Sequence, residues 1–216
     1  MSLKLTVSQY IEYFYRASNI INQNKEYITQ LDLKTGDGDH WINLNKGFSE
    51  LLSKAKQWGD ITFSEMMKNT GMILMSKVGG SSGVLYGSAY IEASKLDIND
   101  NYIDEIDILN ILKTQLEAIM KRGKTKVGDK TMVDSLHQGI IEFEKKLNSK
   151  SNLVDAFNAL SEGARRGMES TKDMKASKGR ASYQNNKGLG ELDPGAVTMY
   201  YQIDALAKTC KEAYKN

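Results

Sequence analysis

Three aspartates fall within eight residues: Asp32, Asp37 and Asp39, with Gly36 and Gly38 between them and His40 following. Two carboxylates about 4 Å apart repel by roughly 4 kcal/mol at an effective dielectric near 20. Such a stretch either splays its acids into water as a solvated turn or closes them on a cation. Glycine on both sides of Asp37 lets the chain turn sharply and aim neighbouring carboxylates at one point. Carboxylate oxygens are hard donors, suited to Mg²⁺, Mn²⁺ or Ca²⁺ rather than zinc. An EF-hand is excluded. Counted from Asp32, the third position is Lys34 and the twelfth Asn43; counted from Asp37, the twelfth is Phe48. A phosphatase-type DxD should end a buried apolar strand, and Gln30-Leu31-Asp32-Leu33-Lys34-Thr35 is not one. A metal-binding loop between helices is the chemistry left.

Other loops offer anion contacts rather than nucleophiles. Val78-Gly79-Gly80-Ser81-Ser82-Gly83 ends one helix pattern and opens another. Backbone N–H groups at a helix start favour an anion, and Ser81 and Ser82 can cap the helix, donate to phosphate, or both. Gly123-Lys124-Thr125 is not a P-loop, because position 118 is Ala and a helix precedes it. In Val127-Gly128-Asp129-Lys130-Thr131-Met132, Asp129 or Thr131 can cap the next helix. Asp193-Pro194-Gly195 is explained by capping, with proline in the first turn. His137 lies among apolar positions and reads as a core or boundary residue, whereas His40 adjoins the aspartates. The chain has no CxxC or HExxH, and the GxSxG spelling at Gly79-Gly80-Ser81-Ser82-Gly83 joins two helix patterns rather than the strand and helix of a nucleophile elbow. Chemistry must come from a bound metal and its ligand.

The elements that position these loops are helices. Val7, Tyr10, Ile11, Phe14, Ala17, Ser18 and Ile21 keep helical spacing, with Thr6 as cap. Tyr27, Ile28 and Leu31 carry a short helical face into the aspartate loop. Further helical patterns run from Leu44 to Ala55, Phe63 to Val78, about Ser82 to Lys95, Ile106 to Met120, Val133 to Leu147, Val154 to Ala164 (Ser151 as cap) and Ala196 to Tyr214. No strand pattern persuades. An all-α antiparallel bundle or barrel in a single domain spanning residues 1–216 follows. The long irregular stretch 172–192 is basic and glycine-rich; a lid or a linker fits it. Net charge is +2 with 26% charged residues, which gives no argument for nucleic acid or membrane. The lone Cys210 and the absence of an apolar leader or an 18-residue apolar run point to a reducing, cytoplasmic setting. One proline in 216 residues suits long helices joined by glycine turns.

Six blocks read in series resemble the nucleotide-binding L subunit of dihydroxyacetone kinase. They are Asp32 with Asp37-Gly38-Asp39-His40, Asn43 and Lys46-Gly47-Phe48; Asn69-Thr70-Gly71-Met72; Val78 to Gly83; Gly128 to Met132; Lys178-Gly179-Arg180-Ala181-Ser182-Tyr183; and Asp193-Pro194-Gly195-Ala196. The stand-alone size resembles the form served by the sugar phosphotransferase system. The resemblance implies an eight-helix antiparallel barrel with nucleotide-binding loops at one end. Asp32, Asp37 and Asp39 would hold two Mg²⁺. His40, Trp41, Ile42, Asn43, Ser81, Ser82, Gly123 and Met132 would line an ADP/ATP site. Arg180, Asp193, Pro194 and Gly195 would close over it from the lid side, Arg180 supporting the phosphates. In that family ADP stays bound as a coenzyme and is phosphorylated by a phosphohistidine carrier (M) subunit. The phosphoryl group then passes to dihydroxyacetone on a K subunit, so no catalytic side chain is expected here. The loaded subunit can also bind a transcription regulator, and the alternatives implied are a regulatory paralogue or a subunit serving another small carbonyl or triol. One position departs from the pattern: Trp41 stands where the family has glycine. An indole there could stack on the adenine or fill the pocket.

Overall fold

The computed structural model describes residues 2–99, 101–149 and 151–215. Among them are nine α-helices: α1 (Val7–Gln23), α2 (Lys25–Thr35), α3 (His40–Ala55), α4 (Phe63–Lys77), α5 (Gly80–Ala93), α6 (Glu105–Gly123), α7 (Met132–Asn148), α8 (Leu153–Ser170) and α9 (Pro194–Lys215). Eight of these run 14 to 22 residues, and α2 is a shorter insertion of 11. The eight long helices make a closed ring. Neighbours pack in the order α3, α4, α5, α6, α7, α8, α9, and α1 completes the circle by packing on both α9 and α3. This is the all-α barrel that the helical spacing and the resemblance lead to.

Local sequence sets most boundaries. Thr6 and Gln9 form a capping box at α1, as do Thr62 and Glu65 at α4, Asp104 and Asp107 at α6, and Thr131 and Asp134 at α7. Each box satisfies backbone donors that a helix start leaves without an intrahelical partner. At Asn24 the chain leaves the helical path, and the Asn24 amide donates to the Ile20 carbonyl at 2.8 Å, which separates α1 from α2. Two sequence expectations shift. Asn152, not Ser151, caps α8: its Oδ1 accepts the Asp155 N–H at 2.9 Å, while the Ser151 hydroxyl meets Ser149 instead. A small antiparallel pair, β1 (Leu5–Thr6) and β2 (Tyr102–Ile103), joins Leu5 to Ile103 and Thr6 to Tyr102. Two-residue strands are too short to leave an alternating pattern.

The barrel interior is filled by side chains such as Phe14, Phe63, Phe143 and Phe157, each worth about 1.5–3 kcal/mol when fully buried. Two polar pairs lie in the interior: Tyr13 and Tyr90 hydroxyls are 3.2 Å apart, and Gln202 Nε2 donates to the Tyr86 hydroxyl at 2.9 Å. His137 is half-buried on α7, the boundary position its neighbours predict. Among the described residues no helix is long and apolar enough to cross a membrane.

Candidate functional site

Alternation of helix direction around the ring brings one set of connections to one end. The α2–α3 loop, the α4–α5 turn, the α6–α7 loop and the long α8–α9 connection all contribute to one cavity of about 700 Å³. Its wall includes the first residues of α3, α5, α7 and α9: His40, Gly80, Met132 and Pro194. Four helix N-termini therefore converge, each carrying roughly half a positive charge in its unpaired N–H groups. They differ in how those groups are used. Thr131 caps α7 through the Val133 N–H, and Asp193 caps α9 through the Ala196 N–H at 2.7 Å. At α3 the His40 N–H donates to Asp32 Oδ2 at 3.0 Å. At α5 the cap residue is Gly79, which has no side chain to offer. The Ser81–Ser82 turn thus presents backbone donors to the cavity, the arrangement that suits phosphate.

The acidic cluster forms the floor. Asp32 comes from α2, while Asp37 and Asp39 come from the loop. One carboxylate oxygen of each lies within 4.8 Å of the others. The glycines make this possible. A Cβ at Gly36 would meet Asp32 Oδ1 at 2.5 Å, and Gly38 has φ +78°, a conformation L side chains rarely adopt. Asp32 is buried, Asp39 half-buried and Asp37 exposed. Burial raises the Asp39 carboxyl above its ordinary range, and the charges of Asp37 and Asp32 push it the same way against the Asn43 hydrogen bond. One side-chain cation touches the cluster among the described residues: Arg180 pairs with Asp37 Oδ2 at 2.5 Å. Three all-oxygen donors with excess negative charge, partly shielded from water, fit a hard divalent cation.

His40 is not a ligand of that cluster. Its Nε2 lies 2.9 Å from Thr198 Oγ1, and Thr198 donates its own proton to the Pro194 or Gly195 carbonyl. Burial lowers the imidazole to about 4, against the pull of Asp32, so it is neutral at pH 7. Asp193 is pushed the other way, up to about 7, chiefly by burial, with the Ala196 N–H and Lys130 opposing.

All the residues expected at the site line this cavity except two. Trp41 and Ile42 lie outside it. His40 and Asn43, three apart on α3, share the face toward the cavity, and the two residues between them rotate away. The Trp41 ring packs on the core with Lys25 Nζ 4.6 Å from its centroid, and Ile42 is 43% exposed. The indole neither stacks in the cavity nor fills it. The cavity also includes residues with no role assigned from sequence: Val84, Leu85 and Ile119 give an apolar wall, and Arg122, Lys130 and Tyr183 stand around it. The helical spacing of Val84, Leu85, Ile119 and Arg122 marked only ordinary faces. Lys130 lay within a quoted motif, but nothing in its type marked a buried cation.

The DAK2 domain family matches residues 34–208. The chain belongs to the DAK2 family. Within it, the chain is 32% identical to the ADP-binding subunit DhaL of the PEP-dependent dihydroxyacetone kinase of Escherichia coli, over 97% of this chain and 100% of the relative. It is 37% identical to the ADP-binding subunit DhaL of the PTS-dependent dihydroxyacetone kinase of Lactococcus lactis, over 94% and 97%. These DAK2 relatives are kinase subunits of the same length class. The dihydroxyacetone kinase of C. freundii, solved with AMP-PNP and Mg²⁺, superposes with a TM-score of 0.68 at 25% identity, covering 92% of this chain. That kinase is a longer chain, of which this DAK2 protein spans about a third, 32%.

Proposed function

We propose that this chain is the ADP/ATP-holding subunit of a dihydroxyacetone kinase, active with partner subunits. The observation that carries the reading is the trio Asp32, Asp37 and Asp39 at the floor of a cavity into which four helix N-termini point. Asp32, Asp37 and Asp39 would hold Mg²⁺, two ions being the number the family resemblance implies. Bound Mg²⁺–nucleotide supplies charge neutralisation and the transferable phosphoryl group. The chain's own part is to bind and align. The uncapped start of α5, with Ser81 and Ser82, offers phosphate donors. Val84, Leu85 and Ile119 give an apolar surface for a base. Neutral His40, locked on Thr198, holds the start of α3 against Asp32.

Residues 172–192 act as a lid. Arg180 is suited to bidentate phosphate contact and already stands beside Asp37. Phosphoryl transfer asks a protein mainly for positioning and electrostatic stabilisation, which explains a site without a nucleophile. A K subunit carrying dihydroxyacetone and a phosphohistidine carrier (M) subunit are the partners this reading requires.

The test is native mass spectrometry followed by reconstitution. Purified protein with Mg²⁺ should carry ADP and divalent ions. With K and M subunits and a phosphoryl donor it should yield dihydroxyacetone phosphate. A well-folded protein that takes up no ADP at millimolar Mg²⁺ would overturn the proposal.

A further inference from the structure

Among the described residues, Lys130 is the one lysine or arginine that the fold buries, at 1% exposure. It stands in the α6–α7 loop at φ +60°, a left-handed conformation uncommon for a side chain of its size. Its Nζ donates to two main-chain oxygens, those of Thr171 and Glu191. Thr171 is the first residue after α8, and Glu191 lies just before the Asp193 cap of α9. One ammonium therefore grips both ends of the long connection. Its stem runs beneath the connection: a Cβ at Gly188 would come within 3.2 Å of Lys130 Cε. Burial lowers the Lys130 amine, while Asp193, Glu191, Asp134 and Asp173 favour its charge.

Within the connection the Gly190 N–H donates to the Lys172 carbonyl at 2.9 Å and the Asp193 N–H to Thr171 Oγ1 at 3.1 Å, so Lys130 adds the side-chain anchor from the barrel to ends that already touch. The other tethers to the barrel are longer or more exposed. Gln184 Nε2 donates to the Lys34 carbonyl at 2.8 Å, and Ser177 N–H reaches the Asp129 carbonyl at 3.3 Å. The Lys34–Glu191 and Arg180–Asp37 pairs are exposed on at least one side, and such pairs contribute little in water. A buried charge keeps its partners because leaving it unpaired is costly. We propose that Lys130 is a positioning residue: it clamps the two ends of the 171–191 segment together and so holds Arg180 over the acidic cluster. This rests on the lid reading above, and it assigns Lys130 no contact with a reacting atom.

The segment carries its own reporter, since Lys175, Lys178, Arg180 and Lys187 are trypsin sites. Lys130→Met keeps the length of the stem and removes the donors. Limited proteolysis without nucleotide should show cleavage at those sites accelerated about tenfold or more, with the helices still intact. The thermal midpoint by circular dichroism should change little. Cleavage at the wild-type rate would overturn the proposal, as would cleavage rising equally across the helices in step with a lost midpoint.

Should the variant not fold, the wild type answers. In sub-denaturing urea, an amine-acylating reagent should modify Lys130 as the segment becomes cleavable, before helical signal falls. Lys130 staying unmodified until the helices unfold would refute the clamp. Neither readout contains nucleotide, so failure of ADP uptake and failure of the clamp are separable.

Discussion

Asp39→Asn should raise stability without metal and lower it with metal and nucleotide. The three carboxylate oxygens lie within 4.8 Å of one another. At that separation a pair repels by about 3.5 kcal/mol at an effective dielectric near 20, and solvent around a half-exposed cluster reduces this to about 1–2 kcal/mol for both of Asp39's neighbours together. Asparagine keeps the shape and an oxygen for Asn43 while removing the charge. It forfeits about 0.3–1 kcal/mol of favourable interaction with the α3 N-terminus. The net gain in EDTA is about 1 kcal/mol, which for 216 residues is a rise of about 2 °C. With Mg²⁺–ADP the sign reverses. Ligand at about 1,000 times its Kd stabilises the wild type by about 4 kcal/mol, or about 9 °C; a hundredfold weaker site keeps about 1.4 kcal/mol, or about 3 °C. Thermal melts of both proteins, in EDTA and in excess Mg²⁺–ADP, give the four midpoints. A variant less stable in EDTA, or one showing the full wild-type shift with Mg²⁺–ADP, would refute the reasoning.

Trp41→Gly should leave ADP affinity within about threefold, by calorimetry, because the indole lies outside the cavity; its lost packing and the glycine inside α3 should cost about 2–4 kcal/mol in urea unfolding. A large affinity change with unchanged stability would contradict the observed side-chain direction. Asp193 predicts a pH effect on the metal-free protein. Its folded value of about 7 lies above that of an unfolded aspartate, so its contribution is complete below about pH 4 and is lost as pH rises toward 7 and beyond. Asp193→Asn retains an oxygen for the Ala196 N–H and lacks this titration. Between pH 5 and 8 the wild type should lose about 2 kcal/mol relative to the variant in urea melts; parallel pH profiles would contradict the assignment.

Most of the architecture is legible in the sequence because its determinants are local. Apolar residues three and four apart placed the helices, and Thr6 and Asp193 marked the starts of α1 and α9 through side chains that reach donors three residues on. The acidic trio was legible for the same reason, since Asp32, Asp37 and Asp39 and their glycines lie within eight residues. Tertiary structure decided the rest. Closure of the ring depends on α1 meeting α9 across nearly the whole chain. The direction of Trp41 depends on the register of α3 against the core and on Lys25 from another helix. Lys130 is the clearest case: its partners lie 41 and 61 residues away. They are main-chain carbonyl oxygens, which every residue offers, so no residue type in the sequence announces them. Only the folded path of the chain decides which carbonyls a buried ammonium meets.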